Sequence, residues 1–265
     1  MVESAASGQA LAASGSQSQH TPGSEAVPPL LAIDAVDVFY GPIQALFGVS
    51  VSVGEGETVV VLGGNASGKS TTVKTALGLV KPRAGSVTFR GERIDGTPTH
   101  DVIGLGFGSI PEGRRVFVEM SVADNIRLGA YTRRRAEKGD LAADLDAVYE
   151  MFPRLAERRN QTAGTLSGGE QQMLAMARAF MRKPKLLCID EPSMGLSPLM
   201  VERVYETLGT WQKAGLTMLI VEQNAMMALG LAHRGYVLRQ GHVIIEGLAA
   251  DLLEDDTVRL AYLGG

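Results

Sequence analysis

The chain has 265 residues, 45% of them hydrophobic and 20% charged, enough to bury a full core in one large domain or two small ones. A net charge of −4 gives no electrostatic footprint for DNA or RNA, and a single cysteine excludes an intramolecular disulfide and fits a reducing compartment. No apolar run approaches the ~18 residues needed to span a bilayer.

In chain order, residues 1–28 are rich in Ser, Gly, Ala and Gln. They lack the basic start and apolar centre of a secretory signal and read as a disordered tail. "LLAIDAVDVFYG" and "FGVSVSV" alternate as strands do, "GEGE" makes a turn, and "TVVVLG" is the continuous apolar run of a buried strand. A helix "KSTTVKTALGLV" follows, then a hairpin "GSVTFRGERI". From roughly Ser121 to Arg158 the spacing turns helical, in "SVADNIRLGAYTRRR" and "LAADLDAVYEMF", with Pro153 ending a helix. The run "TRRRAEK" reads as a solvated helix face. In the helix "GGEQQMLAMARAFMRK", Met173, Met176, Ala177 and Phe180 form one packing face. Then come the strand "KLLCID" with Cys188 in its core, a helix from Leu199 to Ala214, the strand "TMLIVE", a helix "NAMMALGLA", a hairpin "GYVLRQGHVIIEG" and two short helices. The expected fold is α/β, a sheet core interrupted by an all-helical insert.

Three segments carry chemistry. Gly63-x4-Gly68-Lys69-Ser70 fits a phosphate-binding loop and has the required context, a buried strand before it and a helix after. Loop N–H groups would face the phosphates, Lys69 would reach the terminal ones, and the Ser70 hydroxyl would bind Mg²⁺. "LLCIDE" sets Asp190 and Glu191 at the end of a buried strand, where the Asp can hold Mg²⁺ and the Glu can deprotonate an attacking water. "LSGGEQQ", Leu166 to Gln172, opens a helix with a Ser and two glycines, a second phosphate-binding N-terminus. One nucleotide does not need two cradles, whereas two chains facing head to tail do.

With these segments the chain resembles the nucleotide-binding subunit of an ABC transporter, from Leu31 onward. "YGPIQAL", "PEGRRVF", "LSGGEQQMLA", "DEPSMGLSP", "VEQNA", "GYVLRQG" and the ending "AYLGG" are similar to the smaller ATPase subunit of branched-chain (hydrophobic) amino acid importers. The resemblance implies a P-loop ATPase of ABC type, with a mixed sheet core, an antiparallel β subdomain and an α-helical insert near residues 113–165 of a domain spanning 29–265. It implies ATP held by Tyr40, stacked on adenine, and by Gly63, Gly64, Asn65, Ala66, Ser67, Gly68, Lys69, Ser70 and Thr71. It implies Mg²⁺ at Ser70, Glu112 and Asp190, catalysis by Glu191 and Gln223, and a signature of Leu166, Ser167, Gly168, Gly169 and Glu170 closing over a partner's ATP. Glu112 and Gln223 stand where most of the family has Gln and His, and Ser197 where most has Asp. Both replacements and the lost Asp are typical of the importer subfamily.

The implied partners are a second ATPase subunit (a paralogue, or alternatively an identical copy), two membrane permease subunits, and through them an extracytoplasmic substrate-binding protein. The implied location is peripheral, at the cytoplasmic face of the inner membrane. Within "IPEGRRVFVEMSV", apolar Val116, Phe117, Val118 and Met120 are expected to supply part of the permease docking surface. Ala66 departs even from the subfamily, which has Gly there. At positive φ the alanine costs about 1 kcal/mol, and at negative φ nothing. The other readings are a soluble ABC protein of the translation or repair type, disfavoured by the absence of a second cassette, and a nucleotide-binding regulatory module with little hydrolysis. A GTPase would need an Asn-Lys-x-Asp motif, and the sequence has none.

Overall fold

The computed structural model describes residues 28–133 and 141–260. Among the described residues, β1 (Leu31–Tyr40), β2 (Ile43–Val53), β4 (Ala84–Phe89) and β5 (Glu92–Arg93) pair antiparallel in the order β2-β1-β4-β5. A second sheet has six strands in the order β10-β9-β3-β8-β7-β6: β3 (Thr58–Leu62), β6 (Phe107–Ile110), β7 (Leu186–Asp190), β8 (Thr217–Glu222), β9 (Arg234–Arg239) and β10 (His242–Leu248). Its neighbours run parallel except β9 and β10, so the sheet is mixed.

Every residue of β3, β7 and β8 is buried, as a strand covered on both faces requires. Alternation along these strands builds two cores. Val59, Val61, Leu186, Cys188, Leu219 and Val221 face the antiparallel sheet and α1 (Lys69–Ala76). Val60, Leu62, Leu187, Ile189, Met218 and Ile220 face the helical layer. That layer contains α3 (Val122–Leu128), α4 (Leu141–Met151), α5 (Pro153–Glu157), α6 (Gly168–Phe180), α7 (Pro198–Lys213) and α8 (Ala225–Leu231). The short helices α9 (Ala249–Glu254) and α10 (Asp256–Val258) follow β10. Burial pushes the Cys188 thiol up to about 12, so it is an inert packing residue. Met176 and Ala177 are buried and Met173 and Phe180 pack beside them, as their spacing predicts.

The structure corrects several expectations. α1 stops at Ala76, four residues short of Val80, because Gly78 takes φ 69°. α3 ends at Leu128 and does not run on into the arginines. Pro153 follows the end of α4 and is also the first residue of α5, where its missing N–H costs nothing. Arg133 is no part of a solvated face: it is buried and pairs with Asp144 at 2.8 Å. The rest of "TRRRAEK" from residue 134, the tail over residues 1–27, and the ending "AYLGG" lie outside the described residues. The segment 99–110 holds a helix, α2 (Thr99–Gly104), and strand β6, neither of them expected.

Candidate functional site

Parallel strands end on one edge of the sheet, and the loops leaving that edge bring distant residues together. β3 runs into the loop Gly63–Gly68 and then α1, β7 ends at Asp190, and β8 ends at Glu222. Gly68 has φ 110°, and a Cβ there would lie 2.6 Å from Leu46 Cδ2, so only glycine fits at the helix entrance. α1 has no side-chain cap on Gly68, which leaves its first-turn N–H groups for an anion. Ala66 adopts φ 59°, the left-handed conformation, so the costlier of its two options is the one realised.

Lys69 is 3% exposed; its ammonium donates to the Gly64 carbonyl at 2.9 Å and lies 3.2 Å from Glu191 Oε1. The Ser70 hydroxyl donates to Asp190 Oδ1 at 3.0 Å. Burial pushes the Asp190 carboxyl above its ordinary value, and the charges of Glu112 and Glu191 push the same way against the Ser70 hydrogen bond. The Gln223 amide donates to Asn65 Oδ1 at 2.8 Å and to both oxygens of Glu191 at 3.0 Å. Glu191 itself sits at φ 46°. Tyr40, 45% exposed at the end of β1, places its hydroxyl 3.5 Å from Thr71 Oγ1. Lys69, Glu191, Gln223 and Asn65 thus form one chain of ionic and hydrogen-bonded contacts beside the separate Ser70–Asp190 pair, with Glu112 near enough to act on Asp190 through its charge.

The signature is built separately. Ser167 caps α6 in a reciprocal box with Glu170, donating its backbone N–H to Glu170 Oε2 at 2.9 Å while its hydroxyl accepts from the Glu170 N–H. Arg158 holds Glu170 Oε1 at 3.1 Å. Leu166 is buried beneath, and Gly168 and Gly169 pack against Arg114 and Met200.

Sequence reasoning missed Glu222. Almost wholly buried, it accepts from the backbone N–H groups of Ser193, Gln223 and Asn224, tying the loop after Glu191 to the loop carrying Gln223. An acidic residue ending an apolar run beside Gln223 was the available signal. Also missed was Asn125, fully buried, whose side chain accepts from the Phe117 N–H and donates to its carbonyl, pinning the loop after Glu112.

The donor set fits a nucleoside triphosphate with Mg²⁺: free helix N–H groups, a buried lysine, and hard hydroxyl and carboxylate oxygens. Among the described residues no group of three or more His, Cys, Asp or Glu could hold an ion alone. Such a site is completed by phosphate oxygens, the usual arrangement for Mg²⁺.

A family profile described as ABC transporter matches residues 46–194. The chain is 45% identical to the high-affinity branched-chain amino acid transport ATP-binding protein BraG of Pseudomonas aeruginosa, over 89% of this chain and 100% of that one. It is 36% identical to the probable branched-chain amino acid transport ATP-binding protein LivF of Archaeoglobus fulgidus, over 85% and 94%. It is 32% identical to the lipopolysaccharide export ATP-binding protein LptB of Escherichia coli K12, over 82% and 89%. Among solved structures, the ADP conformation of MJ1267, an ATP-binding cassette of an ABC transporter, superposes with a TM-score of 0.75 at 25% identity, covering 89% of this chain and 99% of that one.

Proposed function

This chain belongs to the ABC transporter family of ATPases, and from that premise we propose that it energises an importer for branched-chain or other hydrophobic amino acids. The observation that carries the catalytic reading is the cluster of Lys69, Ser70, Asp190, Glu191 and Gln223 at one sheet edge. Support for the substrate class comes from the similarity to BraG over that protein's whole length.

Gly63–Gly68, Lys69, Ser70 and Thr71 hold the phosphates, and the exposed Tyr40 ring stacks on adenine. Ser70, Asp190 and Glu112 would hold Mg²⁺, which when bound would supply positive charge against the phosphate oxygens. A cation there also favours the charged form of Asp190, which burial disfavours in its absence. Glu191 takes the proton of the attacking water. Its two oxygens are held by Lys69 and Gln223, so Lys69 must turn to the phosphates before Glu191 can act. Gln223 can donate a hydrogen bond to the terminal phosphate and orient Glu191, but it cannot relay a proton as His does. Leu166–Glu170 of this chain closes over the nucleotide of a second ATPase subunit.

No helix among the described residues is long and apolar enough to cross a membrane. Family members of this kind work with membrane permease components, and the proposal gives this chain two of them, a paralogous ATPase partner and an extracytoplasmic binding protein. It places the chain at the cytoplasmic face of the inner membrane, with an ATPase domain over 29–265, its helical insert over 113–165 and a tail before residue 29.

The test is Glu191→Gln in the purified transporter complex. ATP binding should persist, a closed ATP-bound state should accumulate, and turnover should fall by about 10²–10⁴. Hydrolysis at the normal rate would put the base elsewhere. The engagement of both Glu191 oxygens also suits the second reading, a regulatory module with little hydrolysis, and an unsubstituted complex without ATP turnover would select it.

A further inference from the structure

Arg114 follows Glu112 by two residues, inside the segment "PEGRRVF". Gly113, Arg114 and Arg115 take φ 74°, 67° and 48°, three consecutive left-handed residues of which two carry side chains. Each of the two that carry a side chain is strained there and persists only where its surroundings enforce it. Here Asn125 clamps Phe117 on one side, and Arg178 donates to the Arg114 carbonyl at 3.5 Å. The backbone is thereby turned so that the Arg114 side chain lies against the signature.

A Cβ on Gly168 would sit 2.9 Å from Arg114 Nη1 and 3.2 Å from its Cζ, so the guanidinium packs on the backbone of the signature's first glycine. Its Nη2 would lie 3.9 Å from a Cβ on Gly195, in the turn after Glu191. Among the described residues this half-buried guanidinium makes no ion pair and donates no hydrogen bond. A guanidinium has five N–H donors and keeps its charge, so a half-buried one without an acceptor favours an anion from outside. The signature's own carboxylate, Glu170, is occupied by Arg158, Ser167 and its own capping box. That carboxylate also puts a negative charge in the first turn of α6, where it repels an incoming phosphate. A cation beside Gly168 offsets it.

We propose that Arg114 contacts the terminal phosphate of the nucleotide bound to the partner ATPase subunit, joining Ser167 and the two glycines of the signature. This rests on the reading above that the signature closes over the partner's nucleotide. Arg114 therefore acts on closure between subunits and not on nucleotide binding by its own phosphate loop.

The experiment compares Arg114→Met, Arg114→Lys and Arg115→Met, the last a charge-matched control at an exposed neighbour. Each is introduced into the purified transporter complex carrying Glu191→Gln. ATP-dependent crosslinking between this signature and the partner's phosphate loop reads closure, and nucleotide titration of the full chain alone reads binding by its own loop. Arg114→Met should need at least tenfold more ATP for closure while its own affinity stays within about twofold. Arg114→Lys should be intermediate and Arg115→Met unchanged. Closure of Arg114→Met at the parent's ATP concentration would overturn the proposal. So would an equal loss with Arg115→Met, or a matching loss of affinity in the isolated chain. A parent complex that does not close with ATP would instead overturn the two-subunit reading, and this proposal with it.

Discussion

Ala66→Gly tests the strain in the phosphate loop. Ala66 holds φ 59°, where an L-residue pays roughly 1–2 kcal/mol relative to glycine. Glycine has its own disadvantage, since the freer unfolded chain loses about 0.4–1 kcal/mol more on folding. The difference leaves the variant more stable by about 0.5–1 kcal/mol, which in a chain of this size raises Tm by roughly 1–4 °C. If φ stays positive when nucleotide binds, the strain is common to the free and bound forms and cancels, so ATP affinity should change by less than about threefold. Thermal unfolding with and without ATP, together with nucleotide titration, measures both quantities. A Tm that is unchanged or lower would refute the strain argument. A tenfold gain in affinity would show that the loop must move against its alanine to bind.

The sheet edge that gathers Lys69, Asp190 and Gln223 was legible because these residues lie at or within a short loop of the strongest sequence signal. Lys69, Asp190 and Gln223 come just after or at the end of continuous apolar runs, and a fully buried strand is hard to hide in a sequence. β6 was not legible, because "GFGSI" has glycines where strand formers would stand. Its geometry is imposed by packing: a Cβ on Gly108 would come within 2.9 Å of Pro184 Cβ. Arg133 was misread for a related reason. A run of arginines looks solvated, and the carboxylate that pairs with this one, Asp144, lies on α4 eleven residues away. The φ of Ala66 could not be read either, since a loop fixed by the turn between β9 and β10, where the Gly241 N–H donates to the Ser67 carbonyl, leaves no local trace. Glu222 did leave a local signal, an acidic residue ending an apolar run, but its role did not, for its three amide partners come from two loops that only the sheet edge brings together.

Three further outcomes are expected. Lys69→Ala removes the only charged side chain of the phosphate cradle. A lost charge-assisted contact of about 1.5–3 kcal/mol weakens ATP binding by roughly 10–100-fold, and wild-type affinity in folded mutant protein would defeat the loop assignment. Phe117→Ser with Val118→Asp changes residues that are 51% and 48% exposed, so folding and ATP binding should persist while recovery of the permease subunits is lost; recovery at wild-type yield with normal transport would remove this loop from the docking surface. The last concerns acid stability and the join between the two sheets. Arg234 on β9 donates to both oxygens of Glu57 at 2.6 and 3.2 Å and to the Ser52 carbonyl on β2, so one guanidinium ties the sheets together. Burial alone would raise the Glu57 carboxyl, but the Arg234 hydrogen bonds and the Gly54 N–H outweigh it and hold it below its ordinary value. A carboxylate depressed in the folded state binds fewer protons than it does unfolded. Its stabilisation is therefore complete above the ordinary carboxylate pKa of about 4.3 and is lost as pH falls through the lower folded value. Glu57→Gln should cost about 1 kcal/mol at neutral pH, a figure reduced for solvent screening of a partly exposed pair. The gap to the parent should narrow as pH drops below about 4, because only the parent has this charge to lose. Denaturant titrations across that range decide it: two curves that stay parallel into acid would mean that the pair does not couple protonation to folding.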